Sequence, residues 1–270
     1  MSAVSLIQVP YDLGRESGSG LGVPVLAAEL GGGGTVVERA GRYRSESAAC
    51  FDVVRELVPH VRAAAASGAL PVVLAGNCHS SLGTVAALDG DVGVVWLDAH
   101  ADFNTPETTE SGFLDGMALA LLTGAGWDAL RRGIPGHRPV AQENVVLFAR
   151  DLDPAEGERL SSSSIRPIEP HALGPALEDL RSRVDAVYLH IDLDVLDPSV
   201  GRANEFAVDG GLSTDGLAAI VEQVAGLLAI RAVAFTSYEP EGDPDGAIPR
   251  AARHVLERVL EVHRQAGAFA

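Results

Sequence analysis

Ala186-Val187-Tyr188-Leu189-His190-Ile191, running straight into Asp192-Leu193-Asp194-Val195-Leu196-Asp197-Pro198, decides how the rest of the chain is read. The first six residues carry no regularly alternating polar face, so they fit a strand covered on both sides, as in a parallel sheet. Residues 70–75, 92–97, 144–149 and 231–235 have the same near-continuous apolar character. Helix-like stretches lie between these runs, at residues 47–67, 112–124, 173–183, 213–228 and 248–266. The first of these carries Val53, Val54, Leu57, Val58 and Val61 at helical spacing, and Pro59 is positioned to kink or divide it. Strands alternating with helices imply βαβ units. The expected fold is α/β, a three-layer αβα sandwich around a central, mainly parallel β-sheet. Residues 31–34 and 161–164 are glycine- and serine-rich turns rather than linkers, so residues 1–270 read as a single domain. Ligands in such folds bind outside the carboxyl ends of the strands, and three of the five runs end in something chemically unusual.

Composition narrows the classes of function. Hydrophobic residues make up 47%, ample for a large core, while an aromatic content of 5% is poor for a base-stacking surface. A formal charge of −17 repels phosphate backbones and anionic lipid, which argues against nucleic-acid and membrane partners. That charge favours solubility, and it would also gather metal cations and a cationic small molecule if the carboxylates cluster. Two cysteines, Cys50 and Cys78, make no disulfide framework. Residues 1–10 lack the basic-then-apolar pattern of a secretory signal, and no apolar run reaches about 18 residues, so a cytoplasmic location is expected.

The carboxylates do cluster. Asp98-Ala99-His100-Ala101-Asp102 leaves the strand at 92–97, and an extended backbone there would point Asp98, His100 and Asp102 to one side. Two carboxylates and an imidazole brought together would repel and desolvate one another unless a cation sat between them. The bland alternative is a helix cap plus solvated loop charges. Asp192 and Asp194 share a face in the same way directly after an apolar strand, and one helix cap needs only one carboxylate. His190 alternates with Asp192, although a lone histidine more often packs or supports a ligand. The strand at 70–75 leads into Gly76-Asn77-Cys78-His79-Ser80-Ser81, where His79 can face the same mouth and Ser80 or Ser81 can cap a helix. Cys78 is a soft donor among hard ones and reads as packing or support. Pooled, His79, Asp98, His100, Asp102, Asp192 and Asp194 offer four carboxylates and two imidazoles. That set suits manganese, and also iron, cobalt or zinc, and exceeds what one ion with an open position needs. Two ions about 3.5–4 Å apart, sharing bridging carboxylates, fit better and would activate water beside an electrophilic carbon.

With these segments in this order, the chain resembles the arginase/agmatinase/formiminoglutamase (ureohydrolase) family over nearly its whole length. The family's Asp-Ala-His-x-Asp segment is intact as residues 98–102, and its Asp-x-Asp-x-x-Asp-Pro segment as residues 192–198. Its Gly-Gly-Asp-His-Ser segment stands here as Gly76-Asn77-Cys78-His79-Ser80, which keeps the histidine and loses the acid. The resemblance implies an arginase/deacetylase-like fold holding two Mn2+ ions. His79, Asp98, Asp102 and Asp192 would bind one, and Asp98, His100, Asp192 and Asp194 the other.

The resemblance extends to the substrate side. Asn104, Thr109 and Ser111 match positions that hold an α-carboxylate in the arginase branch. Asp153 matches the aspartate that meets the α-amino group, and Glu239 the glutamate that pairs with the guanidinium. A planar cation against a carboxylate is the pairing electrostatics favours, while a solvated loop acid is the plainer reading of Glu239. Asp115 stands where arginases have a histidine taken as a proton shuttle, and Phe113 where they have an asparagine. Asp115 can act as an acid/base group or support a helix.

The implied reaction is hydrolysis of a guanidino or N-hydroxyguanidino α-amino acid to urea or hydroxyurea, with Glu239 orienting the cation and Asp102 or Asp115 moving the proton. Loss of the shuttle would penalise L-arginine most and N-hydroxy-arginine less. A formimino or other amidino hydrolase is one alternative, and a metal-binding regulatory relative without turnover is another. The family often forms homo-oligomers, trimers or hexamers.

Overall fold

Every pairing within the central sheet is parallel. Strands β1 (Val4–Val9), β2 (Thr35–Val36), β3 (Leu70–Ala75), β4 (Gly93–Leu97), β5 (Val145–Phe148), β6 (Ala186–Asp192) and β7 (Ala229–Thr236) lie in the order β2-β1-β3-β7-β6-β4-β5. The computed structural model describes residues 4–267, with side chains through residue 262. Strands β3, β4 and β6 are buried along their whole length, which is why they read as unbroken apolar runs. By contrast, β1 mixes buried and half-buried residues, and β2 is a two-residue exposed edge. Neither carries that signal, and both lie outside the five strands expected from the sequence.

Helices cover both faces. Successive β4 residues point to opposite sides: Val94 and Trp96 join a core under α2 (Glu46–Ala66), α3 (Ser80–Ala86) and α4 (Ala118–Leu122). Val95 and Leu97 join the core under α1 (Gly22–Glu29), α7 (Leu173–Arg181), α8 (Thr214–Leu227) and α9 (Ala247–Gly267). Two further helices, α5 (Asp128–Arg132) and α6 (Pro154–Ser161), complete the set of α-helices among the described residues. The result is the three-layer sandwich. No helix among the described residues is long and apolar enough to cross a membrane.

Local chemistry sets the helix boundaries. Ser45 opens α2 by accepting from Ala48 N at 3.2 Å, and the helix runs undivided through Pro59. Neither Ser80 nor Ser81 caps α3, whose cap residue is His79. The helix expected over 112–124 is mostly loop up to residue 114, with regular helix confined to α4. Thr109 and Ser111 explain this, because their hydroxyls accept from Gly112 N at 3.0 Å and Phe113 N at 3.1 Å and stabilise a turn instead.

The four neighbouring strands β3-β7-β6-β4 carry residues 76–79, 237–239, 192–194 and 98–102 beyond their carboxyl ends, and β5 beside them leads to Asp151 and Asp153. One mouth therefore receives all of these segments. Gly76 makes the first junction possible. A Cβ there would lie 2.2 Å from the Tyr11 carbonyl oxygen and 2.8 Å from Gly20 N, both backbone atoms. Gly76→Ala is expected to destabilise the fold by roughly 2–4 kcal/mol, seen in calorimetry as a melting point several degrees lower. An unchanged midpoint would mean that the junction relaxes freely.

Candidate active site

A cavity of about 380 Å³ opens at these strand ends. Asp98, His100, Asp102, Asp192 and Asp194 line it, together with Asn104, Thr109, Ser111, Asp115, Asp153 and Glu239. His79 lies just behind the wall, in contact with Asp115. Backbone strain concentrates here. Among the described residues the non-glycine positions with positive φ are Leu13, Asp102, Trp127 and Ser237, and all but Trp127 line the cavity.

The 98–102 segment does not converge by staying extended. It bends at Ala99 and His100, where Ala99 O accepts from Arg150 N and Asp151 N at 2.9 Å each, and Asp102 adopts φ +50°. Asp192 ends β6, and Asp194 follows on a single 3-10 turn, donating its N–H to Asp192 Oδ1 at 3.0 Å.

Donor atoms of Asp98, His100 and Asp194 come within 4.8 Å of one another. His100 Nδ1 is 3.5 Å from Asp98 Oδ1 and 3.4 Å from Asp194 Oδ2. Asp192 turns Oδ2 toward Cys78 Sγ at 3.0 Å and Thr236 Oγ1 at 3.3 Å.

His79 and Asp102 are the other two expected ligands. Nδ1 of His79 is 2.9 Å from Asp115 Oδ1, and its Nε2 is buried without a hydrogen-bond partner. Oδ2 of Asp102 is likewise buried and unpaired. Buried polar atoms are normally satisfied, so these two orphans beside converging carboxylates and an imidazole fit a site built around cations. Asp115 accepts from Asn77 Nδ2 at 2.8 Å and from Cys78 N at 3.0 Å, besides facing His79. When His79 donates Nδ1–H to it, Nε2 keeps the lone pair that a metal needs.

Electrostatics follow from burial and crowding. Burial first, then Asp194, lifts the Asp98 carboxyl to about 6. Asp102 and Asp192 are pushed well above the carboxylate range, again by burial first and then by neighbouring aspartates. His100 runs the other way. Burial opposes its charge, yet its hydrogen bonds to Asp194 and Asp98 raise it to about 12. Burial would also raise Asp194, but the hydrogen bond and charge of His100 hold it below its ordinary value.

Across the cavity, burial raises the Glu239 carboxyl, followed by Glu205 and Asp12. Asn204 donates to Asp194 Oδ2 at 3.2 Å and to Ser237 O at 2.9 Å, tying the carboxylate cluster to the loop that carries Glu239. Asn104 Nδ2 donates to Asp153 Oδ2 at 2.7 Å, and Asp153 Oδ1 accepts from Glu156 N at 2.8 Å as the cap of α6. The partly exposed rings of Phe113 and Phe206 sit 5.3 Å apart at the cavity's edge. Sequence reasoning missed Asp12, Asn204 and Glu205. Asp12 follows the unrecognised β1, and Asn204-Glu205 occupies a loop with no periodic signal.

Comparison with known proteins agrees with this arrangement. The model of the arginase family matches residues 30–261. An arginase of Staphylococcus aureus is 34% identical over 177 residues, covering 60% of this chain but only 58% of the relative's length. An arginase of Brevibacillus brevis is 32% identical over 208 residues, covering 72% of this chain and 70% of the relative. Among solved structures, Bacillus caldovelox arginase superposes with a TM-score of 0.82 at 27% identity, over 96% of this chain and 98% of that one. With the family's model matching most of its length and the parallel sheet presenting the same ordered segments at one mouth, this chain belongs to the arginase family.

Proposed function

We propose that this chain is a two-manganese hydrolase that cleaves a guanidino C–N bond in an α-amino acid of the arginine or N-hydroxy-arginine type, releasing urea or hydroxyurea. The supporting observation is the convergence of Asp98, His100 and Asp194, with Asp102 and Asp192 in the same cavity wall and Glu239 in the same cavity. His79, Asp98, Asp102 and Asp192 would hold one ion, and Asp98, His100, Asp192 and Asp194 the other. Bound ions supply water activated at neutral pH and Lewis acidity toward the guanidino group.

The chain's own groups do the rest. Glu239, reinforced by Asp12 and Glu205, receives and orients the planar cation. The hydroxyls of Thr109 and Ser111 accept from backbone N–H groups and share one hydrogen bond at 3.5 Å, which leaves one hydroxyl proton for an α-carboxylate. Asn104 fixes Asp153, which would meet the α-amino group. Asp102, in the cavity wall beside the reacting carbon's place, would move the proton to the leaving nitrogen. Cytoplasmic location and assembly into trimers or hexamers are proposed from the family alone.

Asp115 is assigned to orienting His79, because its carboxylate is occupied by Asn77, Cys78 and His79. Asp115→Asn is then expected to weaken manganese binding by about 10–100-fold, with kcat largely recovered at saturating Mn2+. A kcat that stays low at saturation, with its pH profile altered, would assign Asp115 to acid/base work instead.

Purified protein should be assayed for metal content, and for urea and amine release over a guanidino panel with added Mn2+. Formamide release would mark a formimino hydrolase. Stoichiometric metal without turnover on any compound would overturn the enzymatic reading.

A further inference from the structure

A second group of donor atoms lies beside the carboxylate cluster. Cys78 Sγ, a carboxylate oxygen of Asp98 and a ring nitrogen of His190 lie within 4.8 Å of one another, all three residues buried. His190 is 0% exposed. Its Nδ1 is 2.8 Å from the Tyr188 hydroxyl, while its Nε2 has no hydrogen-bond partner. The His190 ring stacks on Trp96 at 3.6 Å between centroids, and Trp96 Nε1 donates to Asp98 Oδ2 at 3.0 Å. Asp98 thus turns Oδ2 toward the Trp96–His190 side, while Oδ1 accepts from His100 N at 2.7 Å. A histidine present only for packing gains nothing from a buried, unpaired nitrogen, which is costly.

We propose that Cys78, Asp98 and His190 form a further cation site, selective for a thiophilic divalent ion such as zinc. Two of its three donors lie outside the six assigned to manganese. One thiolate, one imidazole and one carboxylate match the three-ligand sets of zinc with an open fourth position, whereas the Asp98–His100–Asp194 set is harder and suits manganese. With zinc ligands at about 2.0–2.3 Å, the donors need to close by at most about 1.5 Å.

Burial, then Asp192 and the other nearby aspartates, hold the Cys78 thiol well above its ordinary range, so a thiolate forms there only with a cation bound. In the tautomer that donates Nδ1–H to the Tyr188 oxygen, His190 Nε2 carries the lone pair, as metal-binding histidines arrange it. Hydroxyls of Thr236 at 3.3 Å and Ser237 at 3.6 Å from Cys78 Sγ can donate to a thiolate. Binding breaks the Cys78 S–H bond, forms the S–metal bond and releases one proton to solvent. In the metal-free site that S–H donates to Asp192 Oδ2. Zinc occupancy would therefore withdraw a hydrogen bond from Asp192 and compete for Asp98, both in the proposed manganese set, and so modulate it. Zinc binding itself does not depend on hydrolysis of any substrate.

The test uses the full chain stripped of metal and loaded with one equivalent of Zn2+ or Co2+. X-ray absorption at the zinc edge is expected to show a sulfur neighbour at about 2.3 Å, and the cobalt form a thiolate-to-metal charge-transfer band. Cys78→Ser should remove both signals and weaken zinc binding by about 100-fold or more, beyond what losing an outer partner does. Cys50→Ser and Asp194→Asn should retain the sulfur signal. Zinc coordinated by oxygen and nitrogen alone overturns the proposal, as does a charge-transfer band that survives Cys78→Ser. The absorption measurement needs no variant, so it decides the matter even where a substituted chain fails to fold. Absence of guanidino hydrolysis would leave the result unaffected.

Discussion

Asp98→Asn is expected to lower kcat/KM on the best guanidino substrate by at least about 10³-fold, and yet to raise the melting temperature of the metal-free protein. The loss should exceed the 10–100-fold typical of an outer partner, because Asp98 is proposed to bridge both ions. The gain follows from its burial, with 2% exposure beside Asp194. That setting lifts its carboxyl from 3.8 to about 6, chiefly through desolvation.

The sign follows from linkage. A folded-state value above the unfolded one means the native state binds the proton more tightly. The stabilisation it brings is present below about 4 and lost as pH rises through about 6. At pH 7 the ionised carboxylate therefore opposes folding by on the order of 3 kcal/mol. An amide removes that opposition but turns its NH2 against one of the two donors Asp98 accepts from, His100 N and Trp96 Nε1, so calorimetry in chelator should show Asp98→Asn melting only roughly 2–4 °C higher at pH 7. The gap should close toward pH 4. Added Mn2+ should reverse the order by stabilising only the protein with its full ligand set. A variant less stable than wild type in chelator at pH 7 would contradict a centre built for cations.

Glu239→Gln carries the second large expectation, a fall in kcat/KM of about 10²–10³-fold with metal content unchanged. An amide of nearly the same shape keeps the loop packed but leaves the guanidinium without its counter-charge. Burial first, then Glu205 and Asp12, holds the Glu239 carboxyl above its ordinary range. Cation binding requires the ionised form, so kcat/KM in wild type should decline as pH falls through that raised value. Glu239→Gln should lack this acidic limb. Steady-state kinetics across pH, with metal analysis of both proteins, decides it. An unaltered kcat/KM would return Glu239 to the role of a solvated loop acid.

The runs entering Asp98 and Asp192 announced buried parallel strands because burial on both faces leaves a one-dimensional trace, unbroken apolar side chains. The segments at 98–102 and 192–194 were visible for a related reason: their chemistry is packed into a few consecutive residues. Nothing local marks which strands become neighbours. The order β3-β7-β6-β4 arises from packing two helical layers on one sheet, and it brings Cys78 to Asp192 across 114 residues and His79 to Asp115 across 36. Asp115 shows the difference most clearly. The family resemblance puts it where a proton shuttle stands, with helix support as the alternative, whereas its three polar neighbours, arriving from the β3 end, suggest a group that steers a ligand. The bend at Ala99, the left-handed Asp102 and the approach of Cys78 to His190 within 4.8 Å were equally out of reach. Periodicity reports which way a side chain faces along its own element, but contacts between distant elements depend on three-dimensional packing and leave no periodic mark.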